Sequence, residues 1–174
     1  MAGSEEDKGA TSSKPAVTTD SNVIHFAYST TYAPYNRFSL FWPQRLVYKG
    51  VAFRSGEHIF QCGKAMNQQD FISIRDANLA VDARKIGHSL PKERIRPDWD
   101  TYKIRRMKEI LMCKYTQSQD LRNLLVSTED KVLIHTAPWD AFWGSGKDGK
   151  GQNRLGKMTM EVRTVIQQEV KLRG

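Results

Sequence analysis

Several features are scarce in this chain of 174 residues, and each scarcity excludes a class of protein. Two cysteines, Cys62 and Cys113, are too few for a disulfide framework, and neither belongs to a CxxC pair. No apolar run approaches the roughly 20 residues that a bilayer span needs. No His and Cys cluster has the spacing of a zinc site. We therefore expect a soluble protein of a reducing compartment, the cytoplasm first and the nucleus as the alternative.

The first 22 residues also have few large apolar side chains. They are rich in Ser, Thr, Ala and Gly, hold four acidic and two basic residues, and contain no apolar stretch of the secretory-signal type. This composition predicts a flexible tail over residues 1–22. Residues 23–174 then form one domain, because hydrophobic residues make up 39% of the chain, enough for a packed core.

The charge balance is strongly basic, with a formal net charge of +8. Within residues 84–114, ten Lys and Arg stand against four acidic residues. Such a run is typical of a solvated helical face, and it also fits a surface that attracts the phosphates of a nucleotide or a nucleic acid. Charge indicates the sign of the partner but not the chemistry.

The pattern of apolar residues predicts an α+β domain that is mainly helical, with a small β component near the start. Ser55 is expected to begin one helix, Asp98 a longer one, and Asn153 the last, while Gly87 is expected to end a helix. The predicted strands and helices are a strand over 23–28, a hairpin over 47–53 turning at Lys49-Gly50, helices over 55–69, 70–77, 78–86, 98–116 and 120–126, a strand over 132–135, and a final helix from 153.

Two carboxylates and two tryptophans are candidates for chemistry. Glu57 lies in the first turn of a predicted helix, where the helix dipole alone explains a carboxylate, and Asp140 fits an ordinary turn. Together, two carboxylates can hydrolyse a glycosidic bond. Trp99 and Trp143 are each explained by core packing, and each could also stack on a base.

A glycine-rich loop over residues 144–151 precedes Asn153 and Arg154 at the start of the last predicted helix. Its backbone N–H groups could hold an anion, with Lys150 and Arg154 adding positive charge. The loop matches neither GxxxxGK[ST] nor GxGxxG after a strand, so phosphate-loop and dinucleotide-binding interpretations fail. Taken alone, it is a flexible connection.

Four segments, in this order, resemble the NADAR (YbiA-like) family: Ser-Gly-Glu-His-Ile-Phe-Gln at 55–61 with Lys64, Asp98-Trp99, Asp-Ala-Phe-Trp-Gly-Ser-Gly at 140–146, and Gly-Lys-Gly-Gln-Asn-Arg-Leu-Gly at 149–156. The resemblance spans roughly residues 24–163. It implies a compact, mostly helical N-glycosidase. Some members of the family hydrolyse phosphorylated intermediates of riboflavin synthesis, and others remove ADP-ribose from guanine in nucleic acid.

The resemblance also implies roles for individual residues. Glu57 and Asp140 match the catalytic acids. The implied substrate-binding residues are Trp99, Trp143, Lys64, Gly144, Asn153, Lys150 and Arg154. No metal and no redox cofactor is implied. The chain departs from the family pattern at Gly56, where a Ser or another side chain is common, at Leu40, which replaces a usual Asn, and at His88, which replaces a common Arg.

The leading hypothesis is an N-glycosidase that removes ADP-ribose from guanine in nucleic acid or nucleotide, with direct nucleic-acid contact through the basic face. The first alternative is hydrolysis of phosphorylated riboflavin-biosynthesis intermediates. A second alternative is an inactive nucleotide- or nucleic-acid-binding module, against which the retention of Glu57 and Asp140 argues. Oligomeric state and the division of roles between the two acids stay open.

Overall fold

A computed structural model describes residues 20–173; most of the predicted tail, residues 1–19, and Gly174 lie outside that range. The strands are β1 (Val23–Phe26), β2 (Leu46–Tyr48), β3 (Val51–Phe53) and β4 (Val132–His135). The helices are α1 (Gly56–Cys62), α2 (Gln68–Arg75), α3 (Ala80–Ser89), α4 (Trp99–Thr116), α5 (Gln119–Val126) and α6 (Arg154–Arg173). The predicted mainly helical α+β class is confirmed. No helix in the described part is long and apolar enough to cross a membrane.

The strands form two separate two-stranded sheets. β1 and β4 pair in parallel, with Val23 opposite Val132 and Phe26 opposite His135. Because parallel strands end at the same edge, the segments that follow β1 and β4 leave the sheet side by side. β2 and β3 form the predicted antiparallel hairpin, and its turn residues Lys49 and Gly50 both have positive φ, as a tight type I′ turn requires.

The first helix is shorter than predicted. Ser55 caps it as expected, with its Oγ accepting the N–H of His58, but α1 ends at Cys62 and not near Gln69. The chain then extends, because the N–H of Arg96 donates to the carbonyl of Lys64 at 2.9 Å and a β-bridge joins Ala65 to Ile95. This distant pairing ends the helix and fixes the backbone of Lys64.

Two other predicted helix signals act differently. Gly87 does not end α3, which continues to Ser89; a Cβ at Gly87 would lie 2.2 Å from Gln61 Oε1, so this glycine allows α3 to approach α1 closely. Asp98 precedes α4, but its carboxylate binds Arg96 at 2.6 Å and makes no capping bond.

α4 runs through the core. Its predicted apolar stripe is buried at Met107, Ile110, Leu111 and Tyr115. The basic run over residues 84–114 does not form one solvated face, because Arg106 and Lys114 are buried as well. Lys114 Nζ donates to Gln44 Oε1 at 3.1 Å, and burial lowers the pKa of this amine to about 7.

Candidate active site

One large cavity lies beside α1. Its volume is about 1160 Å³, above the roughly 300–1,000 Å³ typical of small-molecule sites. Residues of α1, α3 and α4 contribute to its wall, together with the segments that follow β1 and β4. Five of the predicted site residues line it, and they are Glu57, Lys64, Trp99, Asp140 and Trp143. Both candidate catalytic carboxylates therefore reach the same cavity.

Hydrogen bonds hold both the backbone and the side chain of Glu57 in place. Its N–H donates to the carbonyl of Leu40 at 3.0 Å, and its Oε1 accepts a hydrogen bond from Gln61 Nε2 at 2.6 Å. The residue is only 6% exposed, and this burial raises the pKa of the Glu57 carboxyl. The hydrogen bond from Gln61 and the charges of Arg84 and Lys64 oppose that rise. The surroundings therefore favour a carboxyl that readily takes up a proton.

Lys64 follows α1 and is almost as buried as Glu57, at 8% exposure. Its Nζ donates to the carbonyl of Gly87 at 3.3 Å and lies 5.7 Å from the centroid of the Trp99 ring. Burial lowers the pKa of Lys64 to about 8, although the nearby charge of Glu57 works in the opposite direction. Lys64 thus brings a cation close to Glu57 and the indole of Trp99.

Asp140 stabilises a turn and also lines the cavity. Its Oδ1 accepts the N–H groups of Phe142 at 3.0 Å and Trp143 at 2.8 Å, the turn arrangement expected of an ordinary aspartate. Within residues 20–173, its Oδ2 makes no hydrogen bond. One oxygen therefore fixes the side chain, and the other is free to accept a hydrogen bond from a ligand.

The two predicted tryptophans share one neighbour, Phe60 of α1. The centroid of its ring lies 5.1 Å from that of Trp99 and 5.7 Å from that of Trp143, with edge-to-face geometry in both cases. Both indoles are partly buried against the core and also line the cavity. The core-packing explanation and the cavity role are therefore compatible, because each ring has more than one face.

Four predicted substrate-binding residues, Gly144, Lys150, Asn153 and Arg154, do not line this cavity. Gly144 packs closely against Ala137, since a Cβ at position 144 would lie 2.6 Å from the Cβ of Ala137. The side chain of Asn153 bonds the backbone of β4, accepting from the N–H of His135 at 2.9 Å and donating to the carbonyl of Leu133 at 2.8 Å. Arg154 lies over the ring of Phe142, and Lys150 is exposed on the glycine-rich loop. Asn153 itself has φ +49°, and α6 begins one residue later.

Other cavity residues were missed by the sequence analysis as site residues. Arg84 and His88 lie four residues apart on α3 and so share a helix face, a spacing that the sequence already contains. Lys103 of α4 lies four residues after Trp99, which also places it on the same face as a predicted site residue. Gln61 belongs to the motif at 55–61, and its amide donates a hydrogen bond to Glu57. The Oε1 atom of Gln61 is buried and has no hydrogen-bond partner in the described part of the chain.

Two carboxylates at one cavity can catalyse the hydrolysis of a glycosidic bond. The cations around them suit a substrate that carries phosphate, and the aromatic rings suit a base. The fold and the site thus define a glycosidase-type hydrolase.

Comparison with known proteins identifies the family. A sequence profile of the NADAR domain matches residues 26–167. N-glycosidase YbiA of Escherichia coli is 34% identical over 143 residues, which are 81% of this chain and 86% of that protein. The NMR structure of Escherichia coli YbiA superposes with a TM-score of 0.77 at 33% identity, covering 88% of this chain and 89% of the other. The maize riboflavin biosynthesis protein PYRR is 35% identical over 119 residues, 63% of this chain and 19% of that protein.

The chain belongs to the NADAR family, and it is a hydrolase that acts on N-glycosyl bonds. The resemblance seen in the sequence motifs is thereby confirmed at the level of family and reaction class.

Proposed function

We propose that this N-glycosidase acts on an ADP-ribosyl N-glycoside, foremost guanine that carries ADP-ribose in nucleic acid or as a nucleotide. The observation that carries the proposal is the environment of Glu57, a buried carboxyl at a large cavity with Lys64 and Arg84 close enough to influence its pKa. A carboxyl group of this kind suits proton transfer, and the cations suit a diphosphate.

The reaction divides the work between the two acids. The bond between C1′ of the ribose and the nitrogen of the base breaks through an oxocarbenium-like state, which a nearby carboxylate stabilises. The electron pair of the broken bond leaves with the base, whose nitrogen takes up a proton from the solvent. Water adds to C1′, and Glu57 accepts the proton that the water loses and then returns it to the solvent. A raised pKa makes Glu57 a stronger base than an ordinary glutamate. The free Oδ2 of Asp140 accepts a hydrogen bond from a ribose hydroxyl or from the attacking water.

The wall of the cavity suits the remaining parts of such a substrate. The indoles of Trp99 and Trp143, braced by Phe60, offer flat apolar surface for the guanine or the adenine ring. Lys64 and Arg84 offer positive charge to the phosphates. A cavity of about 1160 Å³ has room for a ligand of this size, which exceeds that of a typical small metabolite.

A phosphorylated intermediate of riboflavin synthesis is the second candidate substrate. The observation in its favour is the similarity to the maize protein, whose name places it in riboflavin biosynthesis. Such a substrate also contains a ribosyl group and phosphate, so the same acids and cations would serve it. It would leave more of the cavity empty.

The test offers both substrates side by side to the wild type, to Glu57→Gln and to a control, Glu93→Gln, which changes an exposed glutamate outside the cavity. We expect release of ADP-ribose from modified guanine by the wild type and the control, with kcat lower by about 100-fold or more in Glu57→Gln. Turnover of the riboflavin intermediate alone would favour the second candidate. Undiminished turnover by Glu57→Gln would remove Glu57 from the mechanism.

A further inference from the structure

Two large aromatic side chains stand exposed among the residues that line the cavity. Trp139 is 71% exposed and Tyr28 is 54% exposed. Neither belongs to the proposed catalytic machinery, and neither was a predicted site residue. Indole and phenol rings give up water readily, so such exposure at a cavity marks a surface available to a ligand.

The topology explains why these two rings share one edge of the molecule. Tyr28 lies two residues after β1 ends, and Trp139 lies four residues after β4 ends. The two strands are parallel and in register at their ends, and the N–H of Thr136 continues the pairing by donating to the carbonyl of Phe26 at 2.9 Å. Both rings therefore leave the same edge of the sheet.

The segment that carries Trp139 is well anchored. The N–H of Asp140 donates to the carbonyl of Ala137 at 3.0 Å, and the carboxylate of Asp140 binds the backbone of Phe142 and Trp143. Trp139 is thus presented on a fixed turn, and it is the residue directly before a candidate catalytic acid. A base resting on its ring would lie next to the reacting part of the substrate.

Positive charge accompanies the exposed rings. Five Lys and Arg side chains line the cavity against two carboxylates, Glu57 and Asp140. Among residues 20–173, Arg45 and Arg84 form no ion pair. A ligand that matches this edge has flat apolar rings and repeated negative charges, and single-stranded nucleic acid combines both.

We infer that Trp139 and Tyr28 form a stacking rim for unpaired bases next to the modified nucleotide, so that the enzyme prefers a single-stranded polynucleotide over a free mononucleotide. This inference rests on the proposed function, because it names the form in which the ADP-ribosylated base arrives. Unpaired bases stack on the two rings, and the cavity arginines face the phosphates between them.

Binding is measured first, with fluorescein-labelled 12-nucleotide single strands of DNA and RNA that carry no modification. The variants are Trp139→Ala, the conservative Trp139→Phe and the control Leu172→Ala, which removes an apolar side chain that is 88% exposed on α6. Loss of base stacking on an aromatic ring predicts binding weaker by about fivefold or more for Trp139→Ala with at least one strand. Trp139→Phe restores most of the affinity, and Leu172→Ala binds as the wild type does.

Turnover is measured second, with ADP-ribosylated guanine inside a 12-nucleotide strand and as a mononucleotide. Trp139→Ala lowers kcat/KM for the strand at least about fivefold more than for the mononucleotide. An equal loss on both substrates overturns the inference, as does unaltered binding of both strands. If the wild type cleaves neither substrate, the proposed function fails, while the binding experiment still decides whether the rim holds nucleic acid. A dimeric wild type that becomes monomeric in Trp139→Ala overturns the inference, because the rim would then join two copies of this chain.

Discussion

The side chain of Leu40 occupies the space that a side chain at position 56 would need. A Cβ on Gly56 would lie 2.8 Å from Leu40 Cδ2 and 3.2 Å from Ile110 Cγ2. Two of the three departures from the family pattern, Gly56 and Leu40, are therefore in contact. Leu40 also accepts the backbone N–H of Glu57, so this contact lies directly beneath the candidate catalytic residue.

Gly56→Ala should destabilise the protein by about 1–3 kcal/mol, because the added methyl group overpacks the contact with Leu40. The same change in a Leu40→Ala background should cost less, since the space is then open. Urea unfolding of both single variants and the double variant measures this coupling. Additive free energies of unfolding across the cycle would mean that the two positions do not compensate each other.

Gln61→Met should raise the pKa that governs the acidic side of the pH–rate profile. The amide of Gln61 donates to the Glu57 carboxylate and so favours its charged form. Without that bond, Glu57 keeps its proton up to a higher pH. Activity that needs the ionised carboxylate therefore begins to rise at a higher pH. The profile of kcat/KM reports this shift, with Gln69→Met, an exposed position on α2, as the control. An unchanged profile would show that the ionisation of Glu57 does not govern the acidic side of the pH dependence.

Glu57→Gln should be more stable than the wild type at neutral pH, with the gain shrinking as pH falls. Burial raises the pKa of Glu57 in the folded protein above its ordinary value of 4.5. The ionised form is therefore disfavoured by folding, and the wild type loses stability relative to the variant as pH rises past 4.5. Thermal unfolding at pH 4 and pH 7 measures the difference, with Glu93→Gln for comparison. A variant less stable than the wild type at pH 7 would contradict the prediction.

Lys114→Met should flatten the pH dependence of stability between about 7 and 10.5. The folded-state pKa of Lys114 is about 7, against an ordinary 10.5, because the amine is completely buried. The unfolded chain thus binds the proton more tightly, and the wild type gains stability as pH rises through this interval. Lys64, with a pKa of about 8, contributes a smaller rise of the same sign.

Urea unfolding free energies at pH 7, 8 and 9 test the role of Lys114, with the exposed Lys92→Met as the matched control. The control should keep the slope of the wild type. Equal slopes in Lys114→Met and the wild type would show that Lys114 is charged in the folded protein throughout.

Local signals in the sequence predict the parts of this fold that depend on local physics. The Lys49-Gly50 turn, the Ser55 cap and the apolar stripe of α4 are of this kind, and the structure confirms all three. The end of α1 depends on the bridge between Ala65 and Ile95, and no local pattern contains that information. The sequence does not predict the burial of Lys114 either, because a basic residue on a helix is ordinarily solvated.

The site divides in the same way. Motifs near α1 and after β4 identify residues that line the cavity, such as Glu57 and Asp140, although their catalytic roles stay predictions. The family resemblance implies a substrate-binding role for Asn153, whereas its amide completes the hydrogen bonding of β4. Trp139 is not predicted as a site residue, because a single aromatic residue forms no sequence pattern. Its exposure at the cavity and the pairing of β1 with β4, which brings its segment to the same sheet edge as that of Tyr28, appear only in the structure.

The parallel pairing of β1 with β4 joins residues 109 positions apart, and the strand nearer the C-terminus also needs the amide of Asn153. A ribosome that has made Glu57 and all of α4 has therefore not yet made the wall that carries Asp140. The cavity therefore gains both of its carboxylates only after the segment that follows β4 has been synthesised. A shortened chain that ends before β4 would keep Glu57 on α1 and lack Asp140.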